Sequence, residues 1–226
     1  MCAGGGFVSR VAGKSTDGIV SRYLNRRLST PITKFIVRYK IPLTPNQVSL
    51  ISFSMAVLAF PLYALKQAIL AGILVQASSV VDGVDGELAR YYGIASSFGA
   101  FFDAILDRLA DIAVVLGLSI CFLYGAEPTV WNILLCMLAL SGSLMVSYLH
   151  AKTEQNLGVH AKFIGKIWCL ASRDVRLFVV FVGSVLNAFF ETLLVLAILT
   201  NFYVVAKFVE ISLVYRKRPR PSAEVS

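Results

Sequence analysis

Between Val80 and Ile112 the sequence carries Asp82, Asp85, Asp103, Asp107 and Asp111, together with Glu87, Arg90 and Arg108. Apolar stretches suited to a membrane lie on both sides. On a helix, residues three or four apart share a face. Asp82 and Asp85 are three apart and Asp103 and Asp107 four apart, so each pair presents two carboxylates on one face. A short turn joins the two segments, which makes them antiparallel neighbours with four carboxylates converging between them. Ionised carboxylates cannot gather in a low dielectric unless protons, an arginine or metal ions compensate them. Oxygen ligands with no His or Cys nearby favour Mg²⁺ or Mn²⁺ over zinc. An ion held this way typically clamps a pyrophosphate and stabilises the charge that develops during transfer. Gly86 and Gly99 permit close approach of backbone to a ligand. Ala89 keeps the same helix face small, and Arg90 offers a planar fork to a phosphate. The competing reading is a set of buried acid–base pairs, Asp111 with Arg108 for instance. Ionisable residues within a span are functional by default, and Asp111 fits either reading.

The elements that must position these residues are apolar helices. The chain has 226 residues, of which 57% are hydrophobic and 15% charged, against about 25% charged in an average soluble domain. A spanning helix needs about 20 mostly apolar residues. Six stretches are candidates, at 46–65, 67–90, 98–124, 129–152, 173–187 (with its start open to an earlier residue) and 189–215, separated by breakers such as Gly93 and Pro128. Ahead of them, 16–40 mixes Ile19, Val20, Tyr23, Leu24 and Leu28 with Arg22, Arg26 and Arg27. That pattern predicts an interfacial amphipathic helix, apolar side to lipid and arginines to anionic head groups. Pro42 and Pro45 part it from the first span. The fold class is therefore an all-α membrane protein of six transmembrane helices, preceded by an amphipathic interfacial helix. Its parts are a linker and arm (1–42), a six-helix domain (43–215) and a basic tail (216–226).

Charge placement orients the bundle. The formal net charge is +8, and no nucleic-acid-binding motif accompanies it. Basic residues crowd the N-terminal arm, the loop with Lys152, Lys162 and Lys166, and the tail from Arg216 to Arg220. The intervening turns hold only Lys66. The positive-inside rule then puts both termini, and the carboxylates, on the cytoplasmic side, with the tail as a lipid anchor. The first residues have no apolar signal-peptide core and read as a linker. The four cysteines, Cys2, Cys121, Cys136 and Cys169, form no CxxC or zinc spacing. Cys121 and Cys136 read as small packed hydrophobes. His150 and His160 have no partner spacing and receive no role.

The stretch Asp82-Gly83-Val84-Asp85-Gly86-Glu87-Leu88-Ala89-Arg90, then eight residues, then Gly99-Ala100-Phe101-Phe102-Asp103-Ala104-Ile105-Leu106-Asp107 resembles the signature of the CDP-alcohol phosphotransferases, DxxDGxxAR followed by GxxxDxxxD. Eight of eight signature positions agree. Pro45-Asn46-Gln47-Val48-Ser49 resembles the PNxxT opening of that family's first span, with Ser in place of Thr. The resemblance implies a six-span fold and transfer of a substituted phosphate from a CDP-linked donor to an alcohol, with release of CMP. It implies that Asp82, Asp85 and Asp103 bind two Mg²⁺ or Mn²⁺ ions with Asp107 close by. It implies that Asn46, Gly86, Ala89, Arg90, Ser96 and Gly99 line the CDP site. Asp107 would be the general base for the acceptor's hydroxyl. Homodimers are implied as well.

The segment 15–29 resembles the one that precedes the first span in archaeal di-myo-inositol phosphate phosphate synthases, a branch that joins CDP-inositol to myo-inositol 1-phosphate. A cytidylyltransferase domain or partner would supply the CDP-inositol. A phosphorylated acceptor needs a second anion site, for which Lys152, Arg173 and Arg176 are the candidates. Arg173 and Arg176 share a face, and Asp174 beside them suggests an organised polar site; Lys162 and Lys166 read as anchors. The alternative is phospholipid synthesis from CDP-diacylglycerol or an archaeal ether analogue, with inositol phosphate, glycerol phosphate or serine as acceptor. A cation transporter is a third reading, but such sites lie near the midplane with broken helices.

Overall fold

The computed structural model describes residues 18–127, 129–167 and 170–216. Expectations for 1–17 and for the tail beyond Arg216 lie outside the described residues, as do Cys2 and Cys169. Among the described residues the chain is all helix and turn, without strands. A π-helical turn (Ser21–Asn25) runs into α1 (Arg26–Arg38). Then come α2 (Pro45–Ala64), α3 (Ala68–Tyr92), α4 (Ser97–Leu123), α5 (Val130–Leu157), α6 (Arg173–Val185) and α7 (Phe189–Arg216).

Local chemistry starts and stops these helices where the site needs them. Thr44 caps α2 in a reciprocal capping box: its hydroxyl accepts from Gln47 N and its own N–H donates to Gln47 Oε1. Pro45 then occupies the first turn, where no N–H is required. Gly93 ends α3 with φ +67°, a conformation an L side chain rarely adopts. Ser96 caps α4 by accepting from Gly99 N at 3.0 Å. The α3–α4 turn therefore stays short, and the two carboxylate-bearing helix ends face one another.

In the bundle α2 packs on both α3 and α4, α6 packs on α3, and α5 pairs with α7. The main core joins Ala59 and Tyr63 of α2, Ala71 and Val75 of α3, Val114 and Leu118 of α4, Val180 of α6 and Leu196 of α7. Small residues bring the backbones close. A Cβ on Gly72 would lie 2.6 Å from Ser184 Cβ, so α3 and α6 meet across that glycine. Tyr63 and Ser184 add a buried hydroxyl–hydroxyl bond of 2.6 Å between α2 and α6. Cys121 and Cys136 are free and buried in this core, as their apolar surroundings predict.

The expected spans are met in part, and the arm departs from its expected orientation. Among the described residues four helices, α2, α3, α5 and α7, are long and apolar enough to cross a membrane by length and composition. Helix α4 has the length, at 27 residues, but Asp103, Asp107, Arg108 and Asp111 crowd its first half. Helix α6 has 13 residues, about 20 Å at 1.5 Å per residue. The arm also turns its polar side inward. Asn25, Ser29 and Thr33 are buried against α3, while Tyr23, Leu28, Phe35 and Tyr39 face outward. Arg26 does not point to head groups: it pairs with the buried Glu87 of α3 at 2.7 Å.

Candidate active site

Helix α3 presents Asp82 and Asp85 one turn apart, and α4 brings Asp103 to meet them. One carboxylate oxygen from each of these three lies within 4.8 Å of the others. Ser49 donates to Asp85 Oδ2 at 2.5 Å, and the backbone N–H of Gly86 points at the same carboxylate. Ser49 is the serine that stands in the threonine position of the PNxxT-like stretch, so the retained hydroxyl has a defined task here. Ser52 reaches Asp82 Oδ1 at 3.4 Å. Three convergent carboxylates with serine hydroxyls behind them form an all-oxygen donor set that fits a hard divalent cation.

Two cavities meet at this cluster. The first, about 290 Å³, is lined by Asn46, Gly86, Ala89, Arg90, Ser96 and Gly99, all six residues expected around CDP, and by Asp85 and Asp103. The second, about 250 Å³, adjoins the first at the aspartates. Its walls include Asp82, Asp107, Ser172, Arg173 and Asp174, with Asn25 and Arg26 from the arm. Asp85, Gly86, Arg90 and Asp103 belong to both. Two ligands, one in each cavity, would thus meet at the carboxylates.

The three cations expected to hold an acceptor phosphate part company. Arg173 reaches the second cavity. Its Nη1 lies 3.0 Å from Asp82 and 2.9 Å from Asp107, and its Nε 3.3 Å from Asp111. Arg176 lines neither cavity. It is buried, bonded to Asp111 Oδ2 at 2.7 Å and to the Ser143 carbonyl at 2.8 Å. Lys152 is exposed and bonds Gln155. Asp111 therefore pairs with Arg173 and Arg176 of α6 rather than with its helix neighbour Arg108. Removing one partner of a buried pair typically costs about 3–5 kcal/mol, because the other charge is left uncompensated. Arg176→Ala is accordingly expected to lower the unfolding temperature in detergent sharply, and Asp111→Asn in that background to restore part of the loss. An unchanged unfolding temperature in Arg176→Ala would contradict this.

Sequence reasoning also missed three features. Glu87 gathers four donors from the arm. His150 bonds Tyr203 at 2.8 Å and stacks edge-on with His160. Lys207, fully buried, holds the Ile164 and Ile167 carbonyls and Glu210. Glu87 stands inside the signature itself, at a position the pattern leaves open; the other two link residues far apart in the chain.

A family model described as CDP-alcohol phosphatidyltransferase matches residues 42–209. The chain belongs to the CDP-alcohol phosphatidyltransferase family. Family membership makes it a transferase module and sets aside the ion-transport alternative. Among curated proteins it is 44% identical over 178 residues to a bifunctional IPC transferase and DIPP synthase of Rubrobacter xylanophilus, covering 78% of this chain and 38% of that protein. The Aquifex aeolicus protein of the same name is 34% identical over 207 residues, covering 89% and 45%. The chain thus spans less than half the length of these two relatives. An archaetidylinositol phosphate synthase of Pyrococcus horikoshii is 36% identical over 146 residues, covering 65% of this chain and 71% of that protein. In fold, the chain resembles the phosphatidylinositol phosphate synthase of Mycobacterium tuberculosis solved with CDP-DAG bound. The TM-score is 0.70 at 24% identity, covering 88% of this chain and 99% of that one.

Proposed function

We propose that this transferase module moves a phosphoinositol group from CDP-inositol to myo-inositol 1-phosphate and releases CMP. The observation that carries the reading is the pair of cavities meeting over Asp85 and Asp103. The choice of inositol substrates draws support from the relatives named bifunctional IPC transferase and DIPP synthase, matched over 78–89% of this chain. In this reading the CDP moiety fills the first cavity, with Asn46, Gly86, Ala89, Arg90, Ser96 and Gly99 around it. Asp82, Asp85 and Asp103, with Asp107 nearby, would hold two Mg²⁺ or Mn²⁺ ions, which supply charge stabilisation to the pyrophosphate.

The acceptor occupies the second cavity, its phosphate toward Arg173. Arg176 supports the site indirectly, by fixing Asp111 against α6. Asp107 takes the proton from the acceptor's hydroxyl as that oxygen bonds the β-phosphorus. The bond from that phosphorus to the CMP oxygen breaks, and CMP leaves. Sharing the proton in the transition state is what such a base contributes. The module sits in the cell membrane as a multi-pass protein. Helices α4 and α6 complete six crossings within the bundle, the carboxylates face the cytoplasm, and the exposed aromatic side of the arm lies on lipid. A cytidylyl transfer must supply the donor, and the extra length of the relatives leaves room for a second module. A homodimer is the assembly this reading carries over.

A second reading keeps the chemistry and changes the donor to CDP-diacylglycerol or an ether analogue. Two observations favour it. One is the match to an archaetidylinositol phosphate synthase. The other is an apolar cavity of about 600 Å³ lined by Val37, Ile41, Leu43 and Tyr92, which shares Thr44 and Ile94 with the first cavity. CMP release from the purified protein with Mg²⁺ and inositol 1-phosphate separates the two. Release with CDP-inositol is the expected result. Release with CDP-diacylglycerol alone would replace the first reading by the second.

A further inference from the structure

Glu87 is a carboxylate wholly removed from solvent, one residue beyond Gly86. Such a group persists in a bundle only when donors meet it. Every hydrogen bond that the described residues give it comes from the arm. Arg26 Nη1 and Ser29 Oγ each reach Oε1 at 2.7 Å, Thr30 Oγ1 reaches it at 3.3 Å, and Thr33 Oγ1 reaches Oε2 at 2.6 Å. Arg26 also donates to the Gly83 carbonyl at 3.3 Å. Toward its start the arm makes two more polar attachments. Asn25 bonds Ser79 Oγ and receives a bond from Gln76. The Ser21 N–H donates to Asp174 at 2.6 Å, where Gly18 packs so closely that a Cβ would strike the Asp174 carboxylate.

The part of the arm held this way is a wall of one cavity and not of the other. Gly18, Ser21, Asn25 and Arg26 line the second cavity, facing Ser172, Arg173 and Asp174. The first cavity is lined from Thr44 onward and contains no residue of the arm. We propose that Glu87 is a positioning residue that docks the arm as the outer wall of the second cavity, and so sets affinity for a phosphorylated polyol acceptor without touching it. The inference rests on the acceptor reading given above.

The test uses the full chain in detergent and two variants that break the same node from opposite sides, Glu87→Gln and Ser29→Ala/Thr33→Val. Hydrogen exchange of the arm amides, 21–36, needs no substrate and reports docking alone. Both variants are expected to exchange there about tenfold faster than wild type, as a locally released element does. In CMP release, the acceptor KM should rise about tenfold while the donor KM stays within about twofold. The two changes combined should do no more than either alone, since they remove one shared interaction. Unchanged arm exchange would overturn the docking, whatever the substrates are. Faster exchange with an unchanged acceptor KM, or with both KM values rising together, would overturn the assigned role. Absence of CMP release from wild type with inositol 1-phosphate would instead count against the substrate reading, with docking still decided by exchange.

Discussion

Asp107→Asn is expected to cut turnover by about 10²–10⁴-fold, the range that loss of a positioned base produces, and to leave CDP affinity within about threefold of wild type. The substitution keeps the size of the side chain and an oxygen for Arg173, which lies 2.9 Å from the Asp107 carboxylate. What it removes is the capacity to take a proton. Asp107 lines the second cavity and is absent from the first, so the nucleotide side should register the change weakly. Rapid-quench measurement of CMP formation, beside equilibrium binding of CDP, checks both halves. Near-normal turnover would remove Asp107 from the role of base. Equal loss of turnover and CDP binding would move it into the nucleotide site.

Arg173→Ala is expected to raise the acceptor KM by about 10–100-fold, since charge-assisted bonds to phosphate are among the stronger polar contacts. This guanidinium lies between Asp82 and Asp107 with its Nε toward Asp111, at the wall where an acceptor anion would enter. Arg173→Lys should recover only part of the loss, because an ammonium keeps the charge and gives up the planar fork. Initial rates at varied inositol 1-phosphate and saturating donor measure the effect. An unchanged KM in Arg173→Ala would reduce Arg173 to a counter-ion for the aspartates. The contrast with Arg176 is part of the prediction, since its replacement should appear as lost stability.

The aspartate site was legible in the sequence because its geometry is local. Spacings of three and four residues fix a helix face, and the short turn at Gly93 fixes which faces meet. The six residues expected around CDP came from the resemblance to the family signature, and all but Asn46 belong to α3, α4 or the turn between them. Asn46 enters because the capping box at Thr44 starts α2 beside that turn. The acceptor side was less legible. Arg173 and Arg176 are three apart and share a helix, yet one reaches a cavity and the other is sealed against Ser143 and Asp111. That difference depends on how the packing of α6 on α3 aims each side chain toward Asp111 of α4 and Ser143 of α5, which no spacing within α6 encodes. The arm misled for a similar reason. Its arginines and aromatic residues suit a membrane surface, but the buried stripe of Asn25, Ser29 and Thr33 is defined by Ser79 and Glu87 of α3, more than fifty residues away. The start of the α6 stretch at Arg173 was legible, whereas composition singles out four spans because carboxylates occupy the first half of α4 and α6 is only 13 residues long.

The central claim is that these carboxylates hold divalent cations that fix the donor's pyrophosphate between the two cavities. Equilibrium binding of CDP to the purified full chain, with Mn²⁺ and again with EDTA, tests it most directly. CDP should bind with Mn²⁺, and binding should be lost both in EDTA and in Asp85→Asn. CDP binding of equal affinity under all three conditions would contradict the account.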